Sequence, residues 1–156
     1  MNTSLQVTIA SRELYKKLIE SCTLEQLNKI PQGFKNNIIW NVGHIVVTQQ
    51  LLAYKLSGLS MMVTDEMVQK YQKGTAPQGS VSQEEVDAIK NLLFNTITKT
   101  QEDLDNGLFQ NYNEYTVSTA NFTLKNINDA MQFNNFHEGI HIGVILQLED
   151  SRTNRS

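Results

Sequence analysis

The chain's histidines are His44, His137 and His141, and the last two lie four residues apart within residues 133–148, FNNFHEGIHIGVILQL. On a helix that spacing puts both imidazoles on one face, one turn apart. Two neutral imidazoles so placed can reach one divalent cation. A site of three protein ligands needs one more, and His44 is the histidine that remains. His44, His137 and His141 are therefore the candidate metal ligands. Three imidazoles leave a four-coordinate ion with one open position, the layout of a catalytic site rather than a closed structural one. A dication held in this way can bring the pKa of a water towards neutrality or take a thiol as its thiolate. Imidazole suits zinc, nickel, copper and iron, and zinc or nickel is the expected ion.

His137-Glu138-Gly139-Ile140-His141 also fits the pattern H-E-x-x-H, which would make Glu138 the general base of a zinc protease. That reading lacks a third ligand, because the 15 residues after His141 contain no histidine. Glu138 stays a candidate catalytic base, although it lies about 100° round the helix from His137. It could equally be a solvated residue or a contact to a second subunit. Asn41 and Asn134 could orient a histidine or a water, or satisfy each other as buried amides. From the residues alone, a hydrogen-bonded core cluster of the histidines with Asn41, Asn134 or Glu138 competes with the metal site. Tyr54, Tyr71, Tyr112 and Tyr115 could line a pocket mouth or simply pack half-buried. Cys22 has no basic run or helix N-terminus beside it to lower its pKa and is not a credible nucleophile. Lys73-Gly74-Thr75 lacks the glycine spacing of a phosphate loop.

Four long helical patterns must position these residues. Leu5, Ile9, Leu14, Leu18 and Ile19 predict a first helix over residues 5–21, capped by Thr3 or Ser4. Thr23 to Gln26 has the form of a capping box that opens a short helical turn, and Pro31 and Gly33 end it. Asn36 or Asn37 caps a second long helix that reaches about Ser57, with Gly58 past its end. Its stripe of Trp40, His44, Val47 and Leu51 puts His44 in an apolar seam. Gly43 beside it costs about 1 kcal/mol relative to Ala, which points to close approach of another helix or room for a ligand. Residues 59–81 form a connection long enough to be functional, with one or two helical turns over 65–71. Ser82-Gln83-Glu84-Glu85 opens a third long helix whose stripe is Val86, Ile89, Leu93, Ile97 and Leu104. Residues 109–121 read as an extended stretch or short hairpin. Thr123 or Asn121 caps the fourth long helix, with Ile127, Ala130, Asn134, His137, His141, Val144 and Leu148 on its core stripe. Phe133, Phe136 and Ile140 mark a second apolar face, for more core or for another subunit. The reading is all-α, a four-helix bundle in one domain over residues 1–150, with a polar tail at 151–156. The long connection after the second helix permits crossover connectivity.

The segment W-x-x-G-H at residues 40–44, followed by H-x-x-x-H-x-G at residues 137–143, resembles the DinB/YfiT-like superfamily of small metal-binding bundles. The resemblance covers most of the chain, and the order of the motifs is family-like. It implies a four-helix bundle with crossover connectivity, a three-histidine divalent metal site at one end and often a homodimer. Some relatives transfer a low-molecular-weight thiol, such as bacillithiol, to electrophiles; others are proposed metal-dependent hydrolases. Many members carry Arg or Gln near the position of Gly143, whereas this chain reads Ile142-Gly143-Val144. The resemblance therefore implies a metal-dependent thiol transferase or hydrolase acting on a small molecule. A non-catalytic metal-binding stress-response protein and a dimeric interaction module are the alternatives.

Composition bounds the partners. The net charge is −3 and no basic run exists, which reads against nucleic acid. One cysteine excludes an internal disulfide and fits a reducing, cytoplasmic compartment. Arg12, Glu13, Lys16 and Lys17 within the first twenty residues read against a signal peptide, and polar residues interrupt every apolar run that might span a membrane.

Overall fold

The computed structural model describes residues 1–153. It is all-α apart from one small hairpin: α1 (Thr3–Glu20), α2 (Leu24–Asn28), α3 (Ile38–Ala53), α4 (Asp65–Tyr71), α5 (Gln83–Asp105), β1 (Tyr115–Val117), β2 (Phe122–Leu124) and α6 (Ile127–Thr153). Local capping chemistry sets most of the starts. Thr23 and Gln26 close the capping box that opens α2. Asn37 accepts from the Trp40 amide at 2.8 Å to start α3. Ser82 accepts from the Glu85 amide to start α5. Asn2, rather than Thr3 or Ser4, caps α1, accepting from the Ser4 amide at 2.9 Å.

The start of α6 differs more. Asn126 caps it by accepting from the Asp129 amide at 2.8 Å. Neither Thr123 nor Asn121 does so, because both belong to the hairpin. Thr123 pairs with Thr116 across the two strands, and Asn121 takes a positive φ of 49° in the turn between them. The second long helix is α-helical to Ala53, and its continuation over Lys55–Ser57 tightens to a 3₁₀ turn before left-handed Gly58. At the other end of the chain, α6 reaches Thr153, into the expected polar tail; residues 154–156 of that tail lie outside the described residues.

The four long helices pack so that α1 and α3 each contact both α5 and α6. Hydrogen bonds fix their directions. Ser4 meets Gln132 and Arg12 meets Glu138, so α1 and α6 run the same way. Gln49 meets Thr100 and Tyr54 meets Asp103, so α3 and α5 also run the same way. Asn41 meets His141 and His44 meets His137, so α3 and α6 run in opposite senses.

The main core joins Tyr15 and Ile19 of α1, Ile39, Val42, Ile45 and Val46 of α3, Val86, Ile89 and Leu93 of α5, and Ile145 and Leu148 of α6. A second cluster of Leu52, Val117, Leu124, Ala130 and Phe133 seats the hairpin against α3 and α6. Helix α1 buries a seam of Leu5, Thr8, Arg12, Tyr15 and Ile19. That 3–4 spacing leaves Leu14, expected in the core, about half exposed at 49%. On α6, Phe133 is buried but Phe136 and Ile140 are 56% and 41% exposed. No helix among the described residues is long and apolar enough to cross a membrane.

Candidate metal centre

Helix α3 is buried on nearly all sides, and its position 44 faces α6. His137 and His141 come from successive turns of α6. The three rings close on one another, with centroids 5.1 Å apart for His44–His137, 4.7 Å for His44–His141 and 4.5 Å for His137–His141. The Nε2 atoms of His44 and His137 stand 3.2 Å apart. One nitrogen from each of the three lies within 4.8 Å of the others, so the set could hold a single metal ion.

The surroundings fix which nitrogen of each ring is available. His44 Nδ1 lies 2.7 Å from the main-chain carbonyl of Tyr71. A carbonyl only accepts, so Nδ1 carries the proton and Nε2 keeps its lone pair. His141 Nδ1 lies 2.8 Å from Asn41 Oδ1. The Asn41 amide is itself held, because its Nδ2 donates to Asn36 Oδ1 at 3.0 Å and to the Asn37 carbonyl at 2.7 Å. Its oxygen must therefore face His141, which leaves His141 Nε2 as the lone-pair nitrogen. Partners on the far nitrogen that set tautomer and ring orientation are the usual second layer of a histidine metal site. His137 Nδ1 is buried without a partner among the described residues.

Burial keeps the rings neutral. It pushes His137 down to about 3, helped by the neighbouring His141 and His44, and His141 down to about 4, helped by His44. His44 is also lowered by burial, against the pull of its bond to the Tyr71 carbonyl. Neutral imidazoles with converging Nε2 lone pairs are the donor set that a borderline divalent cation takes. On the observed donors, the residues fit such an ion.

Tyr71 reaches His44 because position 43 is glycine. A Cβ at Gly43 would stand 2.6–2.8 Å from ring atoms of Tyr71. Glu85 holds that ring from its far end, accepting from Tyr71 Oη at 2.6 Å and from Lys70 Nζ at 2.6 Å. The Glu85 carboxylate, which a full capping box would turn back to the start of α5, serves α4 instead. Burial alone would raise Glu85, but the bonds from Lys70 and Tyr71 outweigh it and keep the acid below its ordinary range.

Glu138 lies elsewhere. Its carboxylate is fully buried and faces α1 rather than the histidines. Arg12 donates to it twice, Nε to Oε1 at 2.8 Å and Nη2 to Oε2 at 3.0 Å. Ser11 Oγ and Asn134 Nδ2 add bonds of 3.0 and 2.5 Å. Asn134 therefore serves Glu138, while Asn41 serves His141. Arg12, missed in the reading of the first helix, had a signal: it occupies the 5-8-12-15-19 seam. Tyr15 Oη completes the junction, donating to the Glu138 main-chain carbonyl at 2.6 Å.

A cavity of about 540 Å³ opens beside the histidines. Its walls come from α3, from residues 72–74 after α4, from the hairpin and from α6. Trp40 stacks on His44 at a centroid distance of 4.8 Å with planes 10° apart. Of the four tyrosines considered, Tyr115 lines this cavity. Tyr54 donates to Asp103, Tyr71 to Glu85 and Tyr112 to the Leu52 carbonyl.

A family model described as the DinB superfamily matches residues 8–145. Among solved structures, a conserved protein from Enterococcus faecalis is similar with a TM-score of 0.63, at 13% identity, covering 98% of this chain and 96% of that one. At that identity the likeness speaks for the fold alone. A search of curated proteins gave no match.

Proposed function

The chain belongs to the DinB superfamily, and from that membership and the histidine geometry we propose that it is a metal-dependent enzyme acting on a small molecule. The ion, zinc or nickel, is held by Nε2 of His44, His137 and His141. One observation carries this reading: Tyr71 O and Asn41 Oδ1 each take an Nδ1–H and so aim two Nε2 lone pairs into the cluster. The ion would supply a Lewis acid that eases loss of a proton from a water or thiol at neutral pH.

Between the two chemistries, thiol transfer is favoured over hydrolysis. Among the described residues no carboxylate lines the cavity, and Glu138, the base expected from the H-E-x-x-H pattern, is turned to Arg12. A free thiol, at about 8.5, starts much closer to its anion than free water, at about 15.7, so with the same ion it depends less on a second base. The reaction proposed is transfer of a low-molecular-weight thiol, of which bacillithiol is one, to an electrophile. In this reading Trp40 and Phe133 flank the histidines and shield them from water, and Asn41 and Tyr71 keep the rings in register.

We also read the four long helices as a four-helix bundle with crossover connectivity, because α3 and α5 run the same way and their connection must return along them. Exposed Phe136 and Ile140 support a homodimer through α6, checked by light scattering of wild type against F136S/I140S.

The test of function is metal content after purification without chelators. Wild type should carry zinc or nickel near one ion per chain. H44A, H137A and H141A should each lose it while the helical circular-dichroism signal persists. Wild type that takes up neither ion would overturn the metal reading. Turnover of bacillithiol with a generic electrophile, lost on chelation and regained with zinc, supports the transferase; no such turnover rejects it and leaves a metal binder.

A further inference from the structure

We infer that the cavity beside the histidines selects a carboxylate-bearing ligand with an apolar body. The inference rests on the proposed function in taking this cavity for the substrate site. The chain as a whole is acidic, with 16 Asp and Glu against 13 Lys and Arg. The cavity reverses that balance: among the described residues its charged lining side chains are Lys55 and Lys73, with no Asp or Glu. They reach the cavity from separate elements, Lys55 from the 3₁₀ turn after α3 and Lys73 from the exit of α4.

Neither lysine is matched by a carboxylate. The ion pairs among the described residues use Arg12, Lys70, Lys90 and Lys99. Lys73 Nζ instead donates to Ser118 Oγ at 2.7 Å, a neutral acceptor that ties the α4 exit to the hairpin without cancelling the charge. Positive charge with low-dielectric walls behind it attracts anions and disfavours cations.

The walls are mostly apolar. Trp40, Leu51, Leu52, Val117, Phe133 and Ile140 supply much of them, and a space of this volume fits the range that holds a small organic molecule. The cations among the described lining residues are isolated ammonium groups with no arginine fork, which suits a singly charged carboxylate better than a phosphate.

Trp40 is the chain's single tryptophan and lies in the cavity wall, so its fluorescence reads occupancy directly. The probes are phenylbutyrate, phenylbutanol and phenylbutylamine, which share a body and differ in charge. They are titrated into full-length protein, both metal-free and zinc-loaded. The acid should bind on the order of tenfold more tightly than the alcohol, two exposed charge contacts of a few-fold each, and the amine should bind more weakly than both. K55Q/K73Q should bring the acid to the level of the alcohol and leave the alcohol unchanged. No saturable binding of the acid, equal binding of acid and alcohol, or a preference that survives K55Q/K73Q in the metal-free protein would overturn the inference. The two proposals fail separately: charge preference without zinc uptake removes the metal reading alone, and zinc uptake without charge preference removes this one alone.

Discussion

At the scale of single residues, position 43 shows how little separates a formed site from a displaced one. Alanine is the better helix former by about 1 kcal/mol, yet its methyl group would overlap the Tyr71 ring. The ring cannot yield freely, since its hydroxyl is held by Glu85. G43A should therefore lower stability by about 1–3 kcal/mol despite its propensity, measured by urea unfolding. It should also weaken zinc binding by roughly 10–100-fold, because the carbonyl that orients His44 moves with the ring. Y71F, which keeps the carbonyl and the ring, should bind zinc like wild type; calorimetry compares the three. The histidines were legible in the sequence because side-chain identity and spacing carry the signal. Gly43 was legible as a place of close approach. The partner it approaches was not, since the group that holds His44 is a main-chain carbonyl, and every residue has one.

At the scale of elements, α1 and α6 are joined by a polar seam rather than by apolar contact alone. Gln132 and Asn135 donate to Ser4, Thr8 donates to Asn135, and Arg12 is buried against Glu138. Removing one partner of a fully buried pair leaves a charge with no compensation. E138A should cost about 3–5 kcal/mol in chemical denaturation. R12M/E138M, with both charges gone, should recover much of that loss; if it is as unstable as E138A, the cost belongs to packing and not to the stranded guanidinium. Helix starts with local caps, at Thr23, Asn37 and Ser82, could be read from four consecutive residues. The start of α6 could not, because the pairing of β2 with β1 withdraws residues 122–124 from the helix. The role of Glu138 was equally hidden: the H-E-x-x-H pattern describes one helix, and its answer, Arg12, stands on another.

At the scale of the whole molecule, the neutral histidines couple stability to pH. In the unfolded chain a histidine ionises near ~6.5, whereas in the fold His137 and His141 are held to about 3 and about 4. The unfolded state therefore binds more protons below pH 6.5. The stability gained by keeping these rings neutral is complete above that pH and is lost progressively as pH falls towards 3. The thermal midpoint of metal-free protein should decline across this window, and in H137A/H141A the decline should be shallower. An all-α architecture was legible at this scale because four long periodic segments leave little chain for anything else. Which faces pair was not, because several helices carry more than one apolar stripe and only packing selects among them.

The separation of the partners along the chain has a consequence for biosynthesis. His44 precedes His137 by 93 residues, and Arg12 precedes Glu138 by 126. While the chain emerges from the ribosome, N-terminal part first, α1 and α3 exist long before α6. A nascent chain without α6 has one histidine of the three and a guanidinium whose carboxylate has not been made. It has neither the ion site nor the buried pair to stabilise it. Both are completed in one event, when the last helix docks, and capture of a cation would then mark a finished molecule rather than guide an unfinished one.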